Sequence, residues 1–152
     1  MAKGPPKLVA VGHDDNHAKY VGRTRDGRQF FLTTPFVPGE REFIALYVFD
    51  KSGQLQSAAI DDLGPRETLD EPARLVRRDA LLVSLGEIKY QRIRVAPFRI
   101  EMFGVEFGFI PRPPEEPGED WAVIVEPALS TWMRTMQDVS HNVLLDCPAR
   151  IN

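Results

Sequence analysis

The chain has 152 residues, of which 43% are hydrophobic and 27% are charged. This composition predicts a globular domain with a hydrophobic core and excludes wholesale disorder. The balance of 19 basic and 22 acidic residues gives a net charge of −3, which argues against a nucleic-acid partner. A single cysteine, Cys147, excludes an internal disulfide framework and a multi-cysteine zinc site, and we interpret it as a structural thiol.

The sequence predicts a short N-terminal tail followed by one domain. Residues 1–7 contain two prolines, a glycine and two lysines, which favours a flexible tail. Residues 8–152 are then a single α+β domain. Neither a signal-peptide pattern nor an apolar run of membrane-spanning length follows, so we expect a cytoplasmic protein without a membrane partner.

The first half of the chain is typical of β-hairpins. The runs 20–24 and 29–34 flank Asp26-Gly27, a dipeptide that favours a tight hairpin turn. The run 41–50 is apolar on both of its alternating faces, which predicts a central strand covered on both sides. A turn at Gly53 then leads into a return strand over 54–61.

A helix is predicted over about 69–85. The pattern from Thr68 to Glu71 fits a capping box, and Gly86 is a typical C-terminal stop. An apolar stripe at helical spacing should face the sheet, with the arginines on the opposite, solvated side. The residues of this predicted stripe are Leu69, Ala73, Val76, Ala80, Leu81, Leu82 and Val83.

A second β region follows the helix. Its apolar residues change parity between Met102 and Phe103, which predicts a turn or bulge at Phe103-Gly104. A further strand is expected over 121–126. Residues 129–139 have the spacing of a second helix, although an irregular tail also fits, and 143–145 suit a short strand. We predict an α+β fold with a mainly antiparallel sheet.

Two groups of residues could carry chemistry. His13, Asp15 and His17 could supply metal ligands, with Asp61 joining from a strand, although an exposed polar turn also explains the first three. Asp61 and Asp62 are adjacent, so on an extended chain they point to opposite faces. We interpret this pair as the end of a strand. A site using one of the two aspartates would pair it with Arg66.

Two charged surfaces are candidates for binding a partner. Three arginines share one face of the predicted helix, and four carboxylates lie in a proline-rich loop. Each could be an ordinary solvated surface. The residues are Arg74, Arg77 and Arg78 on the helix, and Glu115, Glu116, Glu119 and Asp120 in the loop.

The motifs of common enzymes are absent from the sequence. It contains neither a phosphate-binding loop nor a serine-hydrolase elbow, and it implies no cofactor. We therefore hypothesise a non-enzymatic protein-interaction module, regulatory or an immunity-type inhibitor. A small metal-binding protein or metal-dependent enzyme is the first alternative. The second is a self-associating protein whose apolar strands 41–50 and 103–109 meet across a homodimer.

Overall fold

The computed structural model describes residues 4–13 and 18–127, together with two short strands nearer the C-terminus. The described residues form an α+β fold that contains one α-helix, α1, at Glu71–Ser84, and a 3₁₀ turn at Arg66–Thr68. No helix within the described part has the length and apolar character needed to cross a membrane. The strands are β1 Val9–Val11, β2 Tyr20–Thr24, β3 Gln29–Thr33, β4 Phe36–Val37, β5 Arg41–Phe49, β6 Leu55–Gly64, β7 Ile88–Tyr90, β8 Ile93–Val95, β9 Phe98–Met102, β10 Val105–Arg112, β11 Ala122–Glu126, β12 Thr135–Gln137 and β13 Leu144–Leu145.

The strands form three sheets that share one core. The largest has the order β4-β5-β3-β2-β7, with β6 also paired to β5. The second has the order β12-β11-β10-β9, and the third the order β13-β1-β8. All pairings are antiparallel except that of β1 with β13. The predicted mainly antiparallel α+β architecture is confirmed.

Strand β5 separates two hydrophobic cores, as its doubly apolar sequence predicts. Phe43, Tyr47 and Phe49 face the core shared by the three sheets. Ile44 and Leu46 face a smaller core beneath α1. Alternate residues of a strand point to opposite faces, so both apolar sets of β5 are buried within the chain. The surface that the self-association hypothesis assigned to this strand is therefore covered by the protein itself.

The predicted turns are also found. The backbone carbonyl of Thr24 accepts a hydrogen bond from Gly27 N–H at 3.0 Å, which closes the β2–β3 hairpin. Phe103 and Gly104, with φ of 55° and 71°, form the tight turn between β9 and β10. This turn explains the change of apolar parity at Phe103. Beyond it, Phe107 and Phe109 are buried in the three-sheet core rather than at a surface.

The helix lies within the predicted span, but its N-terminal cap differs. Asp70, not Thr68, is the cap residue, and its carboxylate accepts the Ala73 N–H at 3.0 Å. The capping-box prediction is wrong by two residues because Thr68 ends the preceding 3₁₀ turn. Gly86, with φ of 76°, follows the helix as expected.

The C-terminal region differs from the second helix that the spacing suggests. Thr135–Gln137 form β12, which pairs with β11, so this part of the predicted helix is wrong. Pairing with β11 supplies the segment with backbone hydrogen-bond partners that helical periodicity cannot reveal. The short strand predicted near 143–145 is found at Leu144–Leu145. Cys147 and the rest of the predicted helix lie outside the described residues, as do residues 1–3 of the predicted tail.

Candidate functional site

The helix faces the sheet with only part of the stripe that the sequence predicts. Val76 and Val83, expected to face the sheet, are 70% and 77% exposed. Leu81 is buried as predicted, together with Leu85, which the predicted stripe did not include, and Leu82 packs beside them on the core beneath α1. Leucine side chains bury more apolar area than alanine and valine, which favours this orientation. The predicted stripe therefore lies mostly on the exposed side, and we name Ala73, Val76, Ala80 and Val83 the outer helix face.

The three helix arginines lie on the side of α1 that faces the sheet. Arg77 donates from Nε to the carboxylate of Asp61 on β6. Arg78 pairs with Asp79 at 2.9 Å, and its guanidinium lies 5.5 Å from the ring centre of Tyr20. Long arginine stems cover apolar surface while their charged ends find partners at its margin. The predicted placement of these residues on the side opposite the sheet is therefore wrong.

Arg74 also lies partly beneath the helix. It pairs with Glu71 within the first two turns of α1. Its Nε atom is buried without a hydrogen-bond partner among the described residues. Arg77 and Arg78 thus contact the sheet through Asp61 and Tyr20, whereas Arg74 pairs within the helix.

The paired aspartates diverge, as their adjacency predicts. Asp62 pairs with Arg41 at 2.8 Å, whereas Asp61 pairs with the helix. Arg66 does not join either aspartate, since it donates from Nε to Glu42 at 2.9 Å. The expected pairing of Arg66 with Asp61 or Asp62 is therefore wrong, because the start of β5 places a nearly buried carboxylate in its reach.

The histidine cluster is described only at its first residue. The ring of His13 stacks on that of Tyr90 with centres 5.6 Å apart, and Asp15 and His17 lie outside the described residues. Across the residues that are described, no group of three potential metal ligands is found. Asp61 is occupied by Arg77, so its place in the predicted ligand set remains a hypothesis without structural support.

The acidic loop joins β10 to β11. Residues 113–120 are exposed, and the carboxylate of Glu119 accepts the backbone N–H groups of Glu115 and Glu116 at 3.1 and 2.8 Å. These bonds close a local turn in a segment that contains three prolines. The loop therefore presents acidic side chains on a turn stabilised by its own backbone, and its role in binding stays a prediction.

The structure contains a basic cleft at the β2–β7 edge that the sequence did not predict. Arg23 on β2 lies directly opposite Lys89 on β7. An open cavity of about 600 Å³ lies beside this pair. Its lining residues are Arg23, Thr24, Arg25, Glu87, Ile88, Lys89 and Gln91. The alternation of Arg23 and Arg25 is visible in the sequence, but their pairing with a strand more than sixty positions away is a tertiary property.

Hydrogen bonds to one carboxylate, that of Asp26, connect the residues of the hairpin turn beside this cleft. The Thr24 hydroxyl donates to Asp26, and Arg28 donates from Nε to the same carboxylate at 3.1 Å. These hydrogen bonds lower the pKa of Asp26 to about 2. They favour the ionised carboxylate, which links Thr24 and Arg28 on the two sides of the turn before β3.

Comparison with protein-family models yields no match, and neither the curated proteins nor the solved structures contain a significant match to this chain. The structure itself therefore carries the functional argument. It offers two unusual surfaces, the outer helix face and the basic cleft.

Proposed function

We propose that this protein is a non-enzymatic interaction module, a regulator or immunity-type inhibitor of the cytoplasm. Its outer helix face would insert into an apolar groove of a partner protein that carries lysine and arginine around the groove. The observation that carries this proposal is the exposure of Val76 and Val83 on the same side of α1. Contiguous exposed apolar surface on a globular domain is typical of interaction sites.

The spacing of the outer helix face suits recognition by a groove. Ala73, Val76, Ala80 and Val83 follow the pattern i, i+3, i+7 and i+10. Helices that dock into hydrophobic grooves use such anchors along one face. The small side chains at 73 and 80 allow close approach, while the two valines supply apolar area.

The charges around this face indicate the character of the partner. Glu67 and Asp70 are exposed at the N-terminal end of α1, and Asp79 lies 64% exposed beside the valines. The helix arginines lie on the side of α1 that faces the sheet, so the exposed charges at the border of the outer helix face are carboxylates, of which Asp79 is paired with Arg78. Complementary potential favours a basic partner and disfavours a second copy, whose acidic border would meet this one.

The loop over 115–120 supports the same choice of partner. Its four exposed carboxylates add a second acidic surface to a chain with a net charge of −3. Acidic surfaces accelerate association with basic proteins and make the rate depend on salt. We therefore expect binding that weakens as ionic strength rises.

The test starts with a photo-crosslinking amino acid placed at Val83 in cells that naturally produce the protein. The control carries the same amino acid at Gln56, an exposed residue of β6. We expect a crosslinked protein with a basic isoelectric point that appears only with the probe at position 83. Crosslinks to a second copy alone, to an acidic protein, or to nothing would overturn the proposal.

Reconstitution with the purified crosslinked protein supplies the second step. The double substitution Val76→Glu/Val83→Glu should weaken binding at least tenfold by calorimetry, which corresponds to about 1.4 kcal/mol. Gln56→Glu should leave the affinity unchanged. Thermal unfolding of each variant checks that the fold is retained. Unaltered affinity in a folded double variant would exclude the outer helix face as the binding surface.

A further inference from the structure

The basic cleft collects cationic side chains on one face of the β2–β7 pair. Arg23 and Lys89 are directly opposite in the strand register. Arg25 follows Arg23 by two residues, and Gln91 follows Lys89 by two residues, so both point to the same face of the sheet. The backbone bonds Arg25 N–H to Glu87 C=O and Gln91 N–H to Val21 C=O, each 3.0 Å, extend the ladder on both sides. The sheet thus aligns these side chains along one cavity.

The Arg23–Lys89 pairing places like charges opposite each other. Such cross-strand pairs are unfavourable unless an opposite charge lies between them. Among the residues that the structure describes, no carboxylate forms an ion pair with either side chain. One guanidinium nitrogen of Arg23 donates to the Gly27 carbonyl at 3.2 Å, which orients the side chain without neutralising its charge.

One carboxylate does reach the cleft, but it leaves an excess of positive charge. Glu87 contacts Arg25 at 3.4 Å, and both side chains are largely exposed. Such an exposed ion pair contributes little to the stability of the fold. With Arg23, Arg25 and Lys89 set against Glu87, the described lining carries a net charge of +2.

Close packing of the two strands keeps this arrangement rigid. A Cβ atom at Gly22 would lie 2.1 Å from the carbonyl oxygen of Lys89, so only glycine permits this approach. The opposite face of β7 is anchored by Ile88, which packs on the core beneath α1. The backbone of the cleft is therefore fixed before a ligand binds, so that the freedom lost on binding is mainly that of the side chains.

We infer that the basic cleft binds a small anionic molecule through a phosphoryl group, with a pyrophosphate or phosphate ester as its recognised part. A cavity of about 600 Å³ is of the size that small ligands occupy. Guanidinium groups match the geometry of phosphate oxygens, and a dianion neutralises the excess charge of the cleft. The amide of Gln91 provides a further donor at the same face. This site is separate from the outer helix face and does not depend on its role.

Calorimetry with pyrophosphate, orthophosphate and succinate at low ionic strength tests the inference on the full chain. We expect saturable binding of pyrophosphate, weaker binding of orthophosphate, and weaker binding of succinate. Lys89→Gln should weaken pyrophosphate binding about tenfold, as expected for loss of a charge-assisted hydrogen bond. Glu87→Gln should strengthen it, because the repelling carboxylate is removed.

Arg99→Gln is the matched control, since Arg99 lies on β9 and pairs with Glu106. It changes the net charge as Lys89→Gln does, so equal losses of affinity in the two variants would show a general charge effect and overturn the inference. Absence of saturable binding, or tighter binding of succinate than of pyrophosphate, would also overturn it. Without phosphate, Lys89→Gln should not lower the melting temperature, because it relieves the repulsion with Arg23. A lower melting temperature would contradict the repulsion between Arg23 and Lys89.

Discussion

Arg77 of α1 donates from Nε to the carboxylate of Asp61 on β6, so the arginine side of the helix faces the sheet. The two residues lie sixteen positions apart in the sequence and on different elements. Both side chains keep about two fifths of their surface exposed, so solvent screens their attraction. The contact therefore helps to select the orientation of the helix more than it contributes to total stability.

A double-mutant cycle on Arg77→Ala and Asp61→Ala measures this relationship. We expect a coupling of about 0.5–1 kcal/mol, at the upper end for a partly exposed ion pair. The Arg99–Glu106 pair is a suitable reference, because it lies between neighbouring strands and its arginine is more exposed. Coupling no larger than in the reference pair would show that Arg77 does not help to orient the helix.

Truncating the two sides of the helix should have very different effects. Leu81→Ala removes a buried side chain from the core beneath α1 and should reduce the free energy of unfolding by about 3 kcal/mol. Val83→Ala removes an exposed one and should change it by less than about 0.5 kcal/mol. Urea denaturation of both variants measures the difference. Equal losses would contradict the difference in burial between Leu81 and Val83.

Acid should remove the contribution of Asp26 to stability. Its pKa is about 2 in the folded protein, mainly because the Thr24 hydroxyl donates to it, against about 3.9 in an unfolded chain. A lowered carboxyl pKa stabilises the fold above pH 4, and this stabilisation is lost as the pH falls toward 2. Asp26→Asn should therefore be less stable than the natural protein at pH 7, with the difference disappearing near pH 2.

Urea unfolding at several pH values measures this trend. Thr24→Val removes the principal donor to Asp26 and should reproduce most of the change in pH dependence. A stability difference between Asp26→Asn and the natural protein that stays constant from pH 7 to pH 2 would contradict the role of this hydrogen bond.

The hairpins were predictable because their information is local. Asp26-Gly27 marks a turn by its backbone preference, and alternation on either side marks the strands. The two apolar faces of β5 likewise predicted burial on both sides, and the Phe103-Gly104 turn followed from a change of parity. Each of these depends on neighbours in sequence.

The candidate sites were harder to predict because they depend on distant pairings. Periodicity shows that α1 has an apolar side and an arginine side, but not which one the sheet covers. That choice rested on the leucines near its C-terminal end and on Asp61, a carboxylate supplied by another element. The opposition of Arg23 and Lys89 also required the register of two strands separated by four other strands and a helix.

The sequence by itself determined the α+β class, most strand positions, the existence of the helix and the divergence of Asp61 and Asp62. Turn chemistry and side-chain alternation act over a few residues, so they can be read from the chain. Only the tertiary structure decided that the helix exposes Val76 and Val83 and that Arg23 meets Lys89 at a cavity. Both outcomes arise from competition between whole surfaces for burial and for partners, which depends on the assembled sheets.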